Sequence, residues 1–188
     1  MILWLDAKIY ITKAYPSGKK NHITTAAIIV ALFTILSVVV HEVAHAWVAN
    51  LFGITIVSAG IHGLGAFVAP SGNLTEFGWF AEFAVAFAGP LSNIILALIA
   101  AFYVRWQGES LHENTVQYFG YINTRLARMN LWPIFILDGA KVVHALAWAV
   151  FGVTAATWIT AIAGGVTIFW LFNKKKGRKE IEDWFMTA

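Results

Sequence analysis

Apolar residues fill four long stretches of the chain, separated by shorter polar or glycine-rich segments. The stretches run over about 23–51, 78–104, 117–149 and 153–172. At about 1.5 Å of rise per residue, roughly 20 apolar residues carry a helix across the hydrocarbon core of a bilayer. Each stretch is therefore long enough to predict a span, the third being interrupted. Trp47, Trp79, Trp106, Trp158 and Trp170 fall near the predicted ends, where interfacial aromatics concentrate. Residues 1–15 have a different period: Leu3, Leu5, Ala7, Ile9 and Ile11 alternate with Trp4, Asp6, Lys8, Tyr10 and Thr12. Alternation of that kind predicts a strand, closed by Pro16-Ser17-Gly18. Between the first two spans, Ile54 to Pro70 is too apolar for an ordinary loop, and Gly60, Gly63, Gly65 and Pro70 break any helix. Non-helical backbone survives at membrane depth where protein buries it or it lines a cavity. The expected element is a re-entrant β-like hairpin whose edge can hold an extended peptide; the alternative is a structured loop outside the membrane.

These elements predict an all-α polytopic membrane protein of about four transmembrane helices, with a short N-terminal strand and the hairpin. It is expected to be a single membrane-embedded domain over 1–188: an N-terminal strand (1–22), a transmembrane core (23–172) and a basic tail (173–188). Composition agrees. The chain is 59% hydrophobic and 12% charged, with mean hydropathy +0.69, against about 25% charge in soluble domains. It contains no cysteine, which excludes disulfides, thiolate nucleophiles and cysteine-bound zinc. The net charge of +3 is small and gathered near the ends, a pattern of membrane topology rather than nucleic-acid binding. No continuous apolar segment of a cleavable signal peptide is evident.

The chemistry lies inside the apolar stretches. His41-Glu42-Val43-Ala44-His45 occupies the first span. On a helix, HExxH sets two imidazoles on one face, able to share a zinc ion, with the glutamate placed as general base toward an activated water. Ionisable groups within membrane helices are costly and mark polar interiors or water-filled cavities. A catalytic zinc takes three protein ligands and keeps a position open. Asp138 is the candidate for the third, being the one aspartate of three outside the terminal segments. Pro133 and Gly139 fit a bent segment that aims a carboxylate inward; a helix cap is the competing role for Asp138.

HExxH in one span, followed by Asn130-x-x-Pro133-x-x-x-x-Asp138-Gly139 in a later one, resembles the site-2 protease family of intramembrane zinc metalloproteases. Gly89-Pro90-Leu91-Ser92-Asn93 resembles that family's GPxxN motif, and Phe52-Gly53-Ile54 and Gly63-Leu64-Gly65 resemble its flanking pieces. The match covers about residues 23–145. It implies that His41, His45 and Asp138 bind one zinc ion, that Glu42 activates water, and that Asn93 positions the scissile peptide or its oxyanion. Two departures touch backbone shape rather than ligands: Asp-Gly-Gly is here Asp138-Gly139-Ala140, and a frequent second proline is Ile136. By this resemblance the chain looks like a minimal catalytic core, without room for an added regulatory domain.

The expected function is intramembrane hydrolysis of peptide bonds in transmembrane segments of other proteins, as in regulated intramembrane proteolysis, by a multi-pass protein of the cell membrane. Membrane-tethered regulators and leftover signal peptides are the substrates the resemblance implies; the bilayer is the other expected partner, and no oligomeric state follows. Two other classes fit some of the same residues. A divalent-metal transporter would use the ligands as a transit site, and an inactive scaffold would use none. Among the remaining polar residues, Thr34 and Ser37 share the face of His41 and either line a water path or hydrogen-bond back within their own helix. Glu82 is expected as a solvated interfacial carboxylate and His144 as a packed group or a support for the ligands, while an approach of His62 to the site is the lesser of its readings. The topology arguments diverge. Lys19, Lys20 and the tail lysines place both termini in the cytoplasm, while the family resemblance places this N-terminus outside; an added crossing would reconcile them.

Overall fold

A computed structural model describes Thr12 and residues 20–62, 65–107 and 111–173. The elements are α1 (Lys20–Leu51), β1 (Ile56–His62), β2 (Gly65–Pro70), a short 3-10 turn (Leu74–Phe77), α2 (Trp79–Gln107), α3 (Leu111–Asn130), α4 (Asp138–Phe151) and α5 (Val153–Asn173).

Helix α1 is 32 residues long and contains no glycine or proline, so nothing in its interior opposes the helix. Its buried positions are Ile23, Ala26, Ala27, Val30, Thr34, Ser37, His41, His45 and Ala49. They recur every three or four residues, the signature of one helical face. That face is small and polar, while Ile28, Leu32, Leu36, Val43 and Trp47 point outward. A soluble helix reverses this arrangement. Large apolar residues outside and small or polar ones inside are what a lipid solvent selects, because close approach of small residues and polar pairing then hold helices together. Helices α1, α2 and α5 are each long and apolar enough to cross a membrane.

The predicted first, second and fourth spans match these three helices. The third does not form one span. Its residues divide into α3 and the 14-residue α4, with non-helical backbone over 131–137. Pro133 lacks an N–H and disfavours helix at the residue before it. The chain bridges the gap with tight turns, Ile134 N–H to Trp132 O at 2.8 Å and Leu137 N–H to Ile134 O at 2.7 Å. Three of the four expected spans are thus single helices of spanning character, and the third stretch is a broken pair of helices. The expected hairpin is present: β1 and β2 pair antiparallel from Ile56 opposite Pro70 to His62 opposite Gly65, with an irregularity between Ile56 and Ser58. The expected N-terminal strand lies outside the described residues, apart from Thr12, which is helical, and 20–22, which begin α1. The tail from 174 onward also lies outside them.

Helices α1, α2 and α3 pack on one another, α4 packs on α2 and α5, and β2 lies against α1. Two apolar clusters fix this arrangement. Ile23, Ala26, Ala27 and Val30 of α1 meet Tyr118 and Ile122 of α3. Ala49 of α1 meets Ile54, Leu74 and Val85 at the hairpin end. His41, Glu42 and His45 of α1 fall between the two clusters.

Candidate metal centre

Helix geometry brings His41 and His45 onto adjacent turns, and Asp138 approaches them from the first turn of α4. His41 Nε2 and His45 Nε2 are 3.1 Å apart, and Asp138 Oδ2 is 3.0 Å from the first and 3.3 Å from the second. Tetrahedral zinc with bonds of about 2.0–2.1 Å requires its ligand atoms about 3.3 Å apart. The triangle therefore has the size of a zinc-ligand face.

The surrounding hydrogen bonds decide which atoms carry protons. His45 Nδ1 lies 2.6 Å from Val85 O, and a carbonyl can only accept. The proton is on Nδ1, so Nε2 of neutral His45 presents a lone pair. His41 is fixed by a longer relay. Ser37 gives its hydrogen to Phe33 O at 2.8 Å. Asn123 donates through Nδ2 to Phe119 O at 2.9 Å and to Ser37 Oγ at 3.0 Å, so its Oδ1 is the acceptor for Asn93 Nδ2 at 2.9 Å. Asn93 Oδ1 then accepts from His41 Nδ1 at 2.6 Å, leaving the Nε2 lone pair directed at Asp138. With both rings neutral, two imidazole lone pairs and a carboxylate oxygen converge on one point. Such a set repels itself unless a cation sits at its centre, and its nitrogen and oxygen donors suit zinc. Support of each ring through its second nitrogen is the usual companion of His ligation.

Two glycines make room for the triangle. A Cβ on Gly89 would collide with the Nε2 atoms of both histidines, and one on Gly139 would collide with the carbonyls of Leu131 and Trp132. Pro90, inside α2, withholds the N–H that would bond Ala86 O, loosening the turn from which Val85 O reaches His45. Asp138 is the first helical residue of α4, with Leu137 at the cap position making no side-chain cap bond. Capping is thus not its role.

The triangle forms part of the wall of a cavity of about 500 Å³. Glu42 and Lys141 line it beside the ligands, Phe67 and Val68 of β2 close one side, and Asn130 and Ile136 another. Glu42 is half-buried, whereas His41 and His45 are buried.

Thr34 and Ser37 take one of their two expected roles, and Glu82 departs from its own. Asn93 is fully buried, its amide is engaged by His41 and Asn123, and it belongs to the lining of the cavity. Thr34 and Ser37 bond back to Val30 O and Phe33 O, and both are buried; they do not line the cavity. Glu82 is not solvated: it is 5% exposed and paired with His144 Nδ1 at 2.9 Å. The side chain of His62 lies outside the described residues. Val85 O, Asn123 and Lys141 were not anticipated. Asn123 sits in a helix rich in polar residues and does not stand out there, whereas spacing of three from Asp138 signals Lys141; a backbone carbonyl leaves no trace in a sequence.

The sequence profile of peptidase family M50 matches residues 27–114 and 106–172. The chain belongs to peptidase family M50. Among its M50 relatives, a zinc metalloprotease of Methanocaldococcus jannaschii is 28% identical over 145 residues, covering 77% of this chain and 41% of that protein. Stage IV sporulation protein FB of Bacillus subtilis is 31% identical over 121 residues, covering 61% of this chain and 39% of the relative. The chain thus spans about two fifths of the length of these relatives. Its fold is similar to that of the site-2 protease from Methanocaldococcus jannaschii, with a TM-score of 0.61 and 19% identity over 98% of this chain and 82% of that one. The site-2 protease resemblance read from three short motifs is therefore borne out at the level of family and fold.

Proposed function

We propose that this M50 chain is a zinc endopeptidase that hydrolyses peptide bonds in membrane-embedded segments of other proteins, acting as a multi-pass protein of the cell membrane. The observation that carries the reading is the triangle of His41, His45 and Asp138 at zinc-ligand spacing, on the wall of a cavity that Glu42 shares.

Zinc held by these three residues would polarise the scissile carbonyl and acidify water. Glu42 takes the proton of the attacking water and passes it to the leaving amine. Asn93 and Val85 O hold His41 and His45 with Nε2 toward the metal, so Asn93 acts through His41 as a positioning residue. A substrate backbone lies extended beside the hairpin strand that lines the cavity, its unpaired N–H and C=O groups satisfied by strand addition. A transmembrane helix must unwind to be cut, because its peptide bonds are internally hydrogen-bonded. Cleavage of membrane-tethered regulators is the physiological form this activity takes in our reading.

The test is zinc content of detergent-purified protein alongside cleavage of a transmembrane substrate. Wild type is expected to hold one zinc per chain, and His41→Ala and Asp138→Ala to lose it. Glu42→Gln is expected to retain zinc while cleavage falls by about 10²–10⁴-fold, the usual worth of general acid–base catalysis. Zinc retained in Asp138→Ala would break the site; full cleavage by Glu42→Gln would remove Glu42 as the general base, and a zinc-loaded wild type that cleaves nothing would favour metal transport over proteolysis.

A further inference from the structure

A second group of ionisable side chains lies outside the triangle. Glu82, in the first turn of α2, and His144, in the middle of α4, meet with His144 Nδ1 at 3.0 and 2.9 Å from the two carboxylate oxygens. Both side chains are largely shielded, at 7% and 14% exposure. Thr157 of α5 completes the group, its Oγ1 lying 3.4 Å from His144 Nε2. The Thr157 hydrogen is directed to Val153 O at 3.0 Å, so Nε2 also faces an acceptor. Each ring nitrogen faces oxygen, the pattern that suits an imidazolium paired with a carboxylate.

The location gives this pair its meaning. On α2, Glu82 precedes by one turn Val85, whose carbonyl orients His45. On α4, His144 follows Asp138 by six residues, or about 9 Å along the axis. The α4 helix is short, uncapped by a side chain at its start, and preceded by the non-helical 131–137 segment. Among the described residues, Glu82–His144 is the side-chain hydrogen bond that ties α4 to α2. We infer that Glu82 and His144 are positioning residues, a polar clamp that sets α4 against α2 so that Asp138 meets the two histidines at ligand distance. This rests on the zinc reading of the triangle.

A buried ion pair is weak evidence for stability, since well-packed apolar residues often replace one at no loss, while removing one partner strands the other's charge. That asymmetry separates positioning from mere adhesion. The measurement is the rate at which zinc-loaded, detergent-purified protein releases zinc to a chelator, with the thermal midpoint measured beside it. The double variant Glu82→Leu/His144→Leu is expected to keep a midpoint near wild type yet release zinc at least tenfold faster, within the range typical for groups that orient metal ligands. His144→Arg, which keeps a cation opposite Glu82, is expected to release zinc at a rate near wild type. A double variant with wild-type zinc release overturns the clamp. So does fast release from a well-folded His144→Arg, which stays informative should the double variant not fold. A wild-type protein that takes up no zinc overturns the triangle's metal reading itself, which distinguishes the two failures.

Discussion

Helix α1 and the 111–151 segment both deliver residues to the proposed zinc centre, yet they are built in opposite ways. α1 is one uninterrupted helix whose 3.6-residue period places His41 and His45 together from local geometry alone. The second segment is broken at 131–137 and delivers Asp138 at the start of a new helix. Its position depends on turns, on a glycine pressed against carbonyls, and on packing with α2 and α5. The contrast teaches that one part of the site is specified by sequence spacing and the other by tertiary structure. Damage to each should therefore look different: local in α1, and transmitted from a distance in α4.

The largest effect is expected where neither part can yield. Gly89→Ala would place a methyl group against the Nε2 atoms of both histidines, and the α2 backbone cannot retreat without losing the Val85 and Asn93 bonds. Zinc binding should fall below detection, although alanine is favoured over glycine in a helix by about 1 kcal/mol. Metal analysis beside a thermal scan checks this. Loss of zinc without loss of folding is the expected pattern, and near-normal zinc content would show that the two rings have slack.

Gly139→Ala probes the broken segment. Its Cβ would meet the Leu131 and Trp132 carbonyls, displacing the start of α4 and Asp138 with it. Overpacking of this kind costs about 1–3 kcal/mol, so both zinc affinity and the unfolding midpoint should drop. A drop in affinity alone would mean that the 131–137 turns adapt more easily than their hydrogen bonds suggest.

The same contrast explains what was legible in the sequence. His41, Glu42 and His45 announce themselves by spacing. Asp138 was legible as a lone carboxylate after a proline and before a glycine. The long apolar helices and the hairpin followed from length, hydropathy and glycine placement. The Glu82–His144 pair was not legible, because its partners lie 62 residues apart and each alone resembles an interfacial or packed residue. The extent of the break in the third stretch was not legible for a related reason: apolar composition continues through 131–137, and Pro133 alone does not reveal that α4 restarts as a separate short helix. The bonds of Asn93 to His41 and Asn123 were not legible, because a buried amide's partners cannot be known until α3 is docked.

Asn123→Leu should act more mildly than either glycine change. It removes the acceptor for Asn93 Nδ2 and frees that amide to turn its nitrogen toward His41. Supporting partners of metal ligands are typically worth about 10–100-fold in affinity, and a loss in that range is expected by chelator competition. An unchanged affinity would show that Asn93 holds its orientation without α3.

The smallest effect is expected at Thr34, and it decides between two roles for the polar face of α1. If Thr34 lined a path for water, removing its hydroxyl would slow hydrolysis by tenfold or more while leaving zinc in place. The structure instead directs the hydroxyl to Val30 O at 2.9 Å within a buried face, a bond that competes with the helix rather than serving the site. Thr34→Val keeps the branched shape and removes one hydrogen bond that contributes about 0.5–1.5 kcal/mol net, while the carbonyl retains its helical N–H partner. Cleavage rate and zinc content should stay within about twofold of wild type, with only a small shift in the midpoint. A large loss of rate at constant zinc would return Thr34 to a water path and place the entry of water along α1 rather than through the cavity beside the hairpin.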